Sequence, residues 1–306
     1  MKAKKQIITK PGIYNISIED YHFGKEWTSA TGVKHFQKSA SEYKLYLDGY
    51  FDEEDKPCFD FGNAVELYLI DRNGYNKKVA IAQDSLWVEE ALAENEELKS
   101  PRASSTYKEL KKEFEAENKG KYIINDFGKE SFESLSIISA RCQADPWIPK
   151  LLDGIDYQSS CYWIDQETGL HMKCRPDVVN KKHNVLINIK TALDASPDAF
   201  SRNLAKLNYP IQACVEIAGA EASGLLPKVD KYFWLVLEKN APYNVQLYEF
   251  SMGDVQVVMD ECRSLLSGLK KCYDANEWPG YGAYAQNQFG ILEAKIPSWY
   301  LLRSNQ

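Results

Sequence analysis

Two short runs constrain this chain more than anything else in it. Cys174-Arg175-Pro176-Asp177 is followed, after a polar stretch, by Asn188-Ile189-Lys190-Thr191. Gly169 to Val179 and Asn184 to Lys190 both read as strands, and Asn180-Lys181-Lys182-His183 between them reads as a turn. A hairpin of that length returns the start of its second strand to the neighbourhood of the end of its first. Alternation along the second strand points residues 188 and 190 to one face and Ile189 to the other. An oxygen ligand at Asp177, another at Asn188 and the Lys190 ammonium would then converge on one point. A divalent cation and an attacking water beside a phosphodiester suit such a point. Asn188 departs from the pattern, because an amide brings no charge to a hard cation.

Composition narrows the alternatives. With 306 residues and 44% apolar content, the chain can bury a substantial core. No apolar run approaches the ~18 residues that span a bilayer, and Met-Lys-Ala-Lys-Lys lacks the apolar segment of a secretion signal. The seven cysteines are scattered and form no Cys-x-x-Cys pair, which argues against zinc or iron–sulfur ligation and for a reducing compartment. A cytoplasmic enzyme without membrane contact is the expectation. A net charge of −7 argues against a protein that grips nucleic acid over its whole surface, yet the 37 Lys and Arg could still line a channel. The four histidines lack metal-ligand spacing, and serine-hydrolase elbows, P-loops and dinucleotide fingerprints are absent.

Along the chain, residues 1–10 read as a basic, mobile tail and 11–306 as a single domain. A mainly helical part spans 11–150, a sheet core with the site 151–255, and a C-terminal helix and tail 256–306. Helical patterns cover Thr28 to Tyr50, Phe61 to Ile70 (with small residues at Gly62 and Ala64) and Lys108 to Asn118. Asp126 is the expected cap of a helix running to about Asp145. Asp52 to Pro57 reads as an acidic turn, and residues 73–105 as a mobile excursion with one short helix. Three strands are expected within roughly 157–190, then helices over 197–206 and 210–219. A second hairpin around Asn240-Ala241-Pro242 and a long helix from Gly253 to about Asp274 follow. The pattern is that of an α/β (α+β) fold, a mixed sheet flanked by helices.

Each candidate residue has a functional and a bland reading. Asp177 could hold a cation, or cap a turn, or pair with Lys181 or Lys182. Lys190 lies on a very apolar strand, where a buried lysine requires a partner or a function. It could orient an attacking water or neutralise charge on phosphate. Thr191 could cap a helix or touch phosphate, and Arg175 could bind phosphate or form a structural ion pair. Glu66 could be a solvent-facing helical acid. Tyr209, Gln212 and Glu216 fall on one helix face, where Gln212 could meet substrate or lie on the surface. Gln158, before the strand Cys161-Tyr162-Trp163, could point at the site.

These residues, in this order, resemble the nuclease domain of RecE-type exonucleases (exonuclease VIII). That family lies in the PD-(D/E)xK superfamily with its restriction-endonuclease-like core, close to the lambda-exonuclease and RecB-type nucleases. The resemblance rests on Gly12-Ile13-Tyr14-Asn15-Ile16-Ser17 with Glu19, Tyr21 and His22, and on Gly62 and Ala64. It continues through Ser159-Ser160-Cys161-Tyr162-Trp163, Glu167-Thr168-Gly169 and the two opening runs. Tyr209, Gln212 and Asn276-Glu277-Trp278-Pro279 complete it. It implies 5′→3′ digestion of linear double-stranded DNA with Mg²⁺ or Mn²⁺, leaving 3′ strands for a single-strand annealing protein of RecT type in phage or prophage recombination. It also implies a ring-like homo-oligomer. The implied catalytic set is Asp177, Asn188, Lys190 and Gln212, and the metal set Glu66, Asp177, Asn188 and Ile189. Arg175, Thr191 and Tyr209 fall to the substrate phosphates, and Gln158 supports the site.

Three positions depart from the family. Glu66 stands where a His is expected, Gln158 commonly where a Glu is, and Asn188 where an Asp or Glu is. Glu66 remains an acceptable ligand. Asn188 removes a full negative charge from a site that depends on charge to hold cations and activate water. It is either an engineered inactivation or the natural state of a degenerate relative. The alternative to an exonuclease is a catalytically dead scaffold that binds DNA ends or protein.

Overall fold

The computed structural model describes residues 6–51, 58–285, 289–296 and 298–301. The expected acidic turn at 52–57 lies outside them, as do the first five residues of the expected tail. The rest of that tail is anchored: Ile8 is buried, and its carbonyl accepts from Trp27 Nε1 at 2.7 Å.

Strand β1 (Gly12–Tyr14) leads to α1 (Ile18–Phe23), α2 (Ala30–Lys38) and α3 (Ala40–Leu47). The single helix expected over 28–50 is broken at Ser39, whose extended backbone (φ −169°) ends α2 while its hydroxyl accepts from Glu42 N to cap α3. Helices α4 (Cys58–Ile70) and α5 (Arg72–Lys78) follow. The expected mobile excursion is instead folded. Strand β2 (Val79–Ala82), α6 (Asp84–Glu94), α7 (Ser105–Glu117) and β3 (Tyr122–Asn125) build a lobe in which β2 and β3 pair in parallel. Trp87, Ala91 and Tyr107 form its own small core, and buried Asp84 accepts from Arg102 and Tyr107. Helix α8 (Phe132–Ala144) is capped by Ser131 rather than Asp126, which instead accepts from Ser85 and the Phe127 N–H.

After α9 (Ile148–Leu151) the chain lays down β4 (Asp156–Tyr157), β5 (Ser160–Ile164), β6 (His171–Cys174), β7 (Val178–Asn180) and β8 (Val185–Ala192). The strand expected over 169–179 is two strands in different sheets. β6 belongs to the sheet β1-β5-β6, and β7 to the sheet β10-β9-β8-β7-β4. Pro176, which has no N–H to give a ladder, sits at the switch between them. Helices α10 (Pro197–Lys206) and α11 (Tyr209–Ala222) cross over to β9 (Lys231–Glu238), which pairs in parallel with β8. β10 (Val245–Phe250) and α12 (Met252–Ala275) close the fold.

Alternation on β8 and β9 divides the core. Val185, Ile187, Ile189, Leu235 and Leu237 face a cluster that includes Ala64 of α4 and Leu135 of α8. Leu186, Tyr232, Trp234 and Val236 face α2, α11 and α12. The fold is thus mixed α/β, with the five-stranded sheet between two helical layers. Helix α11 also lies on the smaller sheet, with Gly219 against Cys174 and Trp163. Among the described residues no helix is long and apolar enough to cross a membrane, and Cys142, Cys161, Cys174, Cys214, Cys262 and Cys272 are free.

Candidate active site

Asp177 takes its position from the switch between sheets. The β7–β8 register pairs Val178 with Ile187, so the next step outward sets Asp177 opposite Asn188. The hairpin closes as expected, Asn180 at the end of β7 pairing with Val185 at the start of β8, and its outer end brings Asp177 to the later part of β8. Asp177 Oδ2 accepts the Ile189 N–H at 2.8 Å, and its carbonyl accepts the Gln158 N–H at 3.3 Å. Its alternative partner Lys181 is engaged with Asp156 at 2.6 Å.

Gln158 has left-handed backbone (φ 52°) and links two neighbours. Its Nε2 donates to Glu66 Oε1 at 3.0 Å, and its Oε1 accepts from Arg175 Nη2 at 3.1 Å. Glu66 is therefore turned into the cleft rather than to solvent. Arg175 also donates through Nη1 to the Ile16 carbonyl at 2.8 Å and Ser160 Oγ at 2.9 Å. The guanidinium assigned to phosphate is thus committed to holding Gln158 and the N-terminal segment, and it forms no ion pair among the described residues.

Helix α11 brings the second wall. Lys190 Nζ donates to Gln212 Oε1 at 3.4 Å, Gln212 Nε2 donates to Glu216 Oε1 at 2.8 Å, and the Tyr232 hydroxyl donates to Glu216 Oε2 at 2.7 Å. The Tyr209 ring carries Lys190 Nζ at 4.7 Å and Lys34 Nζ of α2 at 5.6 Å from its centroid. Glu66, Asp177, Gln158, Arg175, Gln212 and Glu216 line one cleft, with Lys34, Tyr21 and His22 on its N-terminal side. Thr191 remains within β8 and caps no helix. It lines a neighbouring hollow with Lys190, Arg202, Tyr209 and Lys239. The Ile189 side chain is buried in the core facing α4, so only its main-chain oxygen could meet a cation.

Electrostatics sharpen the picture. Burial, then the charge of Asp177, pushes the Glu66 and Glu216 carboxyls up to about 7. Burial likewise raises Asp177. Lys34 is lowered to about 8, first by burial and then by Lys190. Asn188 is fully buried, and neither its Oδ1 nor its Nδ2 has a hydrogen-bond partner. Each such group costs about 1–3 kcal/mol when unmet.

The sequence of residues 29–287 matches the family model described as a PDDEXK-like domain of unknown function, DUF3799. The chain belongs to this family. With it the chain enters the PD-(D/E)xK nuclease superfamily. A crystal structure from Eubacterium rectale, of a protein described as a "putative exonuclease", is similar over 94% of this chain and 98% of that one. Its TM-score is 0.55 and its identity 14%, a likeness of fold. A second structure, SSO0001, covers 70% of this chain and 88% of its own at 12% identity, and its TM-score of 0.26 bears no weight. No curated protein matches the sequence.

PD-(D/E)xK nucleases generally work with divalent metals, and the residues here fit one. Glu66, Asp177 and Glu216 take their hydrogen bonds from amides, a main-chain N–H and a phenol, all neutral donors. Buried acids gathered without a cationic donor suit a hard cation. Among the described residues no group of three or more His, Cys, Asp or Glu side chains is placed to hold a metal ion. A cation that keeps several waters needs none. Asp177, Glu66 and the orphaned Asn188 oxygen are the groups to hold it. Sequence reading passed over Lys34, and it noted Glu216 only as sharing a helix face.

Proposed function

We propose that this chain is a metal-dependent deoxyribonuclease that digests linear duplex DNA 5′→3′, in the manner of the RecE-type exonucleases it resembles. The observation that supports it most is that Glu66 and Asp177 line one cleft, while Lys190, from the adjoining hollow, is bonded to Gln212 of that cleft's wall. A bound Mg²⁺ or Mn²⁺ supplies a Lewis acid for the phosphoryl oxygen and lowers the pKa of water. Lys190, steadied by Gln212 and the Tyr209 face, offers its ammonium to the phosphate or to the attacking water. Lys34 adds a second cation on the same ring. Arg175 acts as a positioning residue, holding Gln158 and through it Glu66. The hollow beside Thr191, Arg202 and Lys239 gives the strand a path past Lys190. In this reading the product 3′ strands pass to an annealing protein of RecT type, and copies of the chain form a ring around DNA in the cytoplasm.

The orphaned amide of Asn188 favours one other reading, a DNA-end-binding scaffold that has lost cleavage. Linear duplex labelled at either end, with and without a 5′ phosphate and beside a closed circle, separates the two. Release of the 5′ label with Mg²⁺ or Mn²⁺, the circle staying intact, is expected. Tight binding without cleavage, by this chain and by Asn188→Asp alike, would establish the scaffold. Failure to bind DNA at low salt would point to a protein-binding role.

A further inference from the structure

We infer that Glu216 is the acid that completes the metal site, supplying from helix α11 the charge that residue 188 does not. The inference rests on the metal-dependent reading above and names a ligand beyond the motif residues.

Strand register turns Asn188 to the side of the sheet on which Glu216 lies. On β8, Leu186, Asn188 and Lys190 share the face turned to α11, and their parallel partners on β9 are Tyr232, Trp234 and Val236. Glu216 is bonded to Tyr232, the partner of Leu186. Gln212, one helical turn earlier, is bonded to Lys190. The Gln212–Glu216 turn of α11 therefore packs on the side of the sheet to which Asn188 also points. Both amide atoms of Asn188 are buried and unpartnered. A buried polar side chain left open on the face that carries a buried acid marks a place where an oxygen-seeking ligand is missing.

Charge gives the second argument. Glu216 is 3% exposed, and a carboxylate that deep is costly unless something positive meets it. Its direct partners, Gln212 and Tyr232, are neutral donors, and it lines the same cleft as Glu66 and Asp177. With Glu216 counted, three carboxylates line the cleft despite Asn188. An Asp at 188 would have added a further buried acid on the side of the sheet that α11 covers, where like charges repel. Asn at 188 and Glu at 216 thus form a matched pair, with the charge moved from strand to helix.

Mn²⁺ binding to the full chain tests this without any need for cleavage. Mn²⁺ is titrated and followed by electron paramagnetic resonance, with circular dichroism and thermal melting run alongside. Glu216→Gln should weaken Mn²⁺ binding about tenfold or more. Adding Asn188→Asp to that variant should restore most of the loss, while Asn188→Asp alone should gain less. If Glu216→Gln binds Mn²⁺ as the unaltered chain does while Asp177→Asn does not, Glu216 is no ligand and the metal site stands without it. Absence of Mn²⁺ binding by the unaltered chain would overturn the metal-dependent reading itself, and this inference with it. Should Glu216→Gln not fold, Glu216→Asp carries the test. Drawing the carboxylate back by one methylene weakens binding severalfold if it coordinates, and leaves binding unchanged if it only accepts hydrogen bonds.

Discussion

Lys34 and Lys190 lie over one tyrosine ring, Tyr209, and burial together with the Lys190 charge makes the charge of Lys34 costlier. With its pKa lowered from 10.5 to about 8, Lys34 burdens the folded state most below pH 8, and the burden fades as pH rises from 8 towards 10.5. Lys34→Met should therefore stabilise the protein at pH 7, by about 1–3 kcal/mol in denaturant melts. The same change should weaken duplex binding and remove the fall in affinity expected as pH rises through 8. A variant that melts lower and binds DNA normally would make Lys34 a packing residue. Asp177 and Lys190 could be read from the sequence because one local hairpin brings them together. Lys34 could not, since its site neighbours lie far along the chain and nothing in its own helix marks it.

At the scale of elements, α11 matters most, because it closes the cleft and packs on the smaller sheet. Gly219 allows that approach: a Cβ there would meet Cys174 Sγ and stand 2.5 Å from Trp163 Cζ3. Gly219→Ala should cost about 1–3 kcal/mol through overpacking and shift Gln212 and Glu216 away from Lys190. Thermal melting with Mn²⁺ titration would show it, and unchanged melting would mean that the helix yields without cost. Gly62, singled out in the sequence for close packing, is less demanding, since a Cβ there would sit in ordinary contact at 3.5 Å from Thr191 Oγ1. The lobe between β2 and β3 escaped sequence reading because its strands are four residues each and pair in parallel across two helices. Such pairing leaves no local turn signal and little alternation. The break after β6 was likewise hidden, because strand-forming residues continue beyond Arg175-Pro176-Asp177 and the change of sheet is a long-range event.

For the molecule as a whole, a net charge of −7 is compatible with a DNA enzyme if its cations are gathered inward. Lys34, Lys190, Arg202 and Lys239 border the cleft or the hollow beside it. Light scattering should find an oligomer larger than a dimer, and digestion of one duplex should run to the end before another is attacked. A monomer that digests distributively would remove the ring from the proposal. The sequence by itself determined the fold class, the hairpin with Asp177 and Lys190, and the oddity of Asn188. Those features rest on strand alternation, turns and residue chemistry, which act over a few positions. Only the tertiary structure decided that α2, α4 and α11 meet at that hairpin, that Arg175 positions Gln158, and that Glu216 lines the same cleft as Glu66 and Asp177. Periodicity shows which face of a helix is buried, but what that face is buried against depends on packing between elements far apart in the chain.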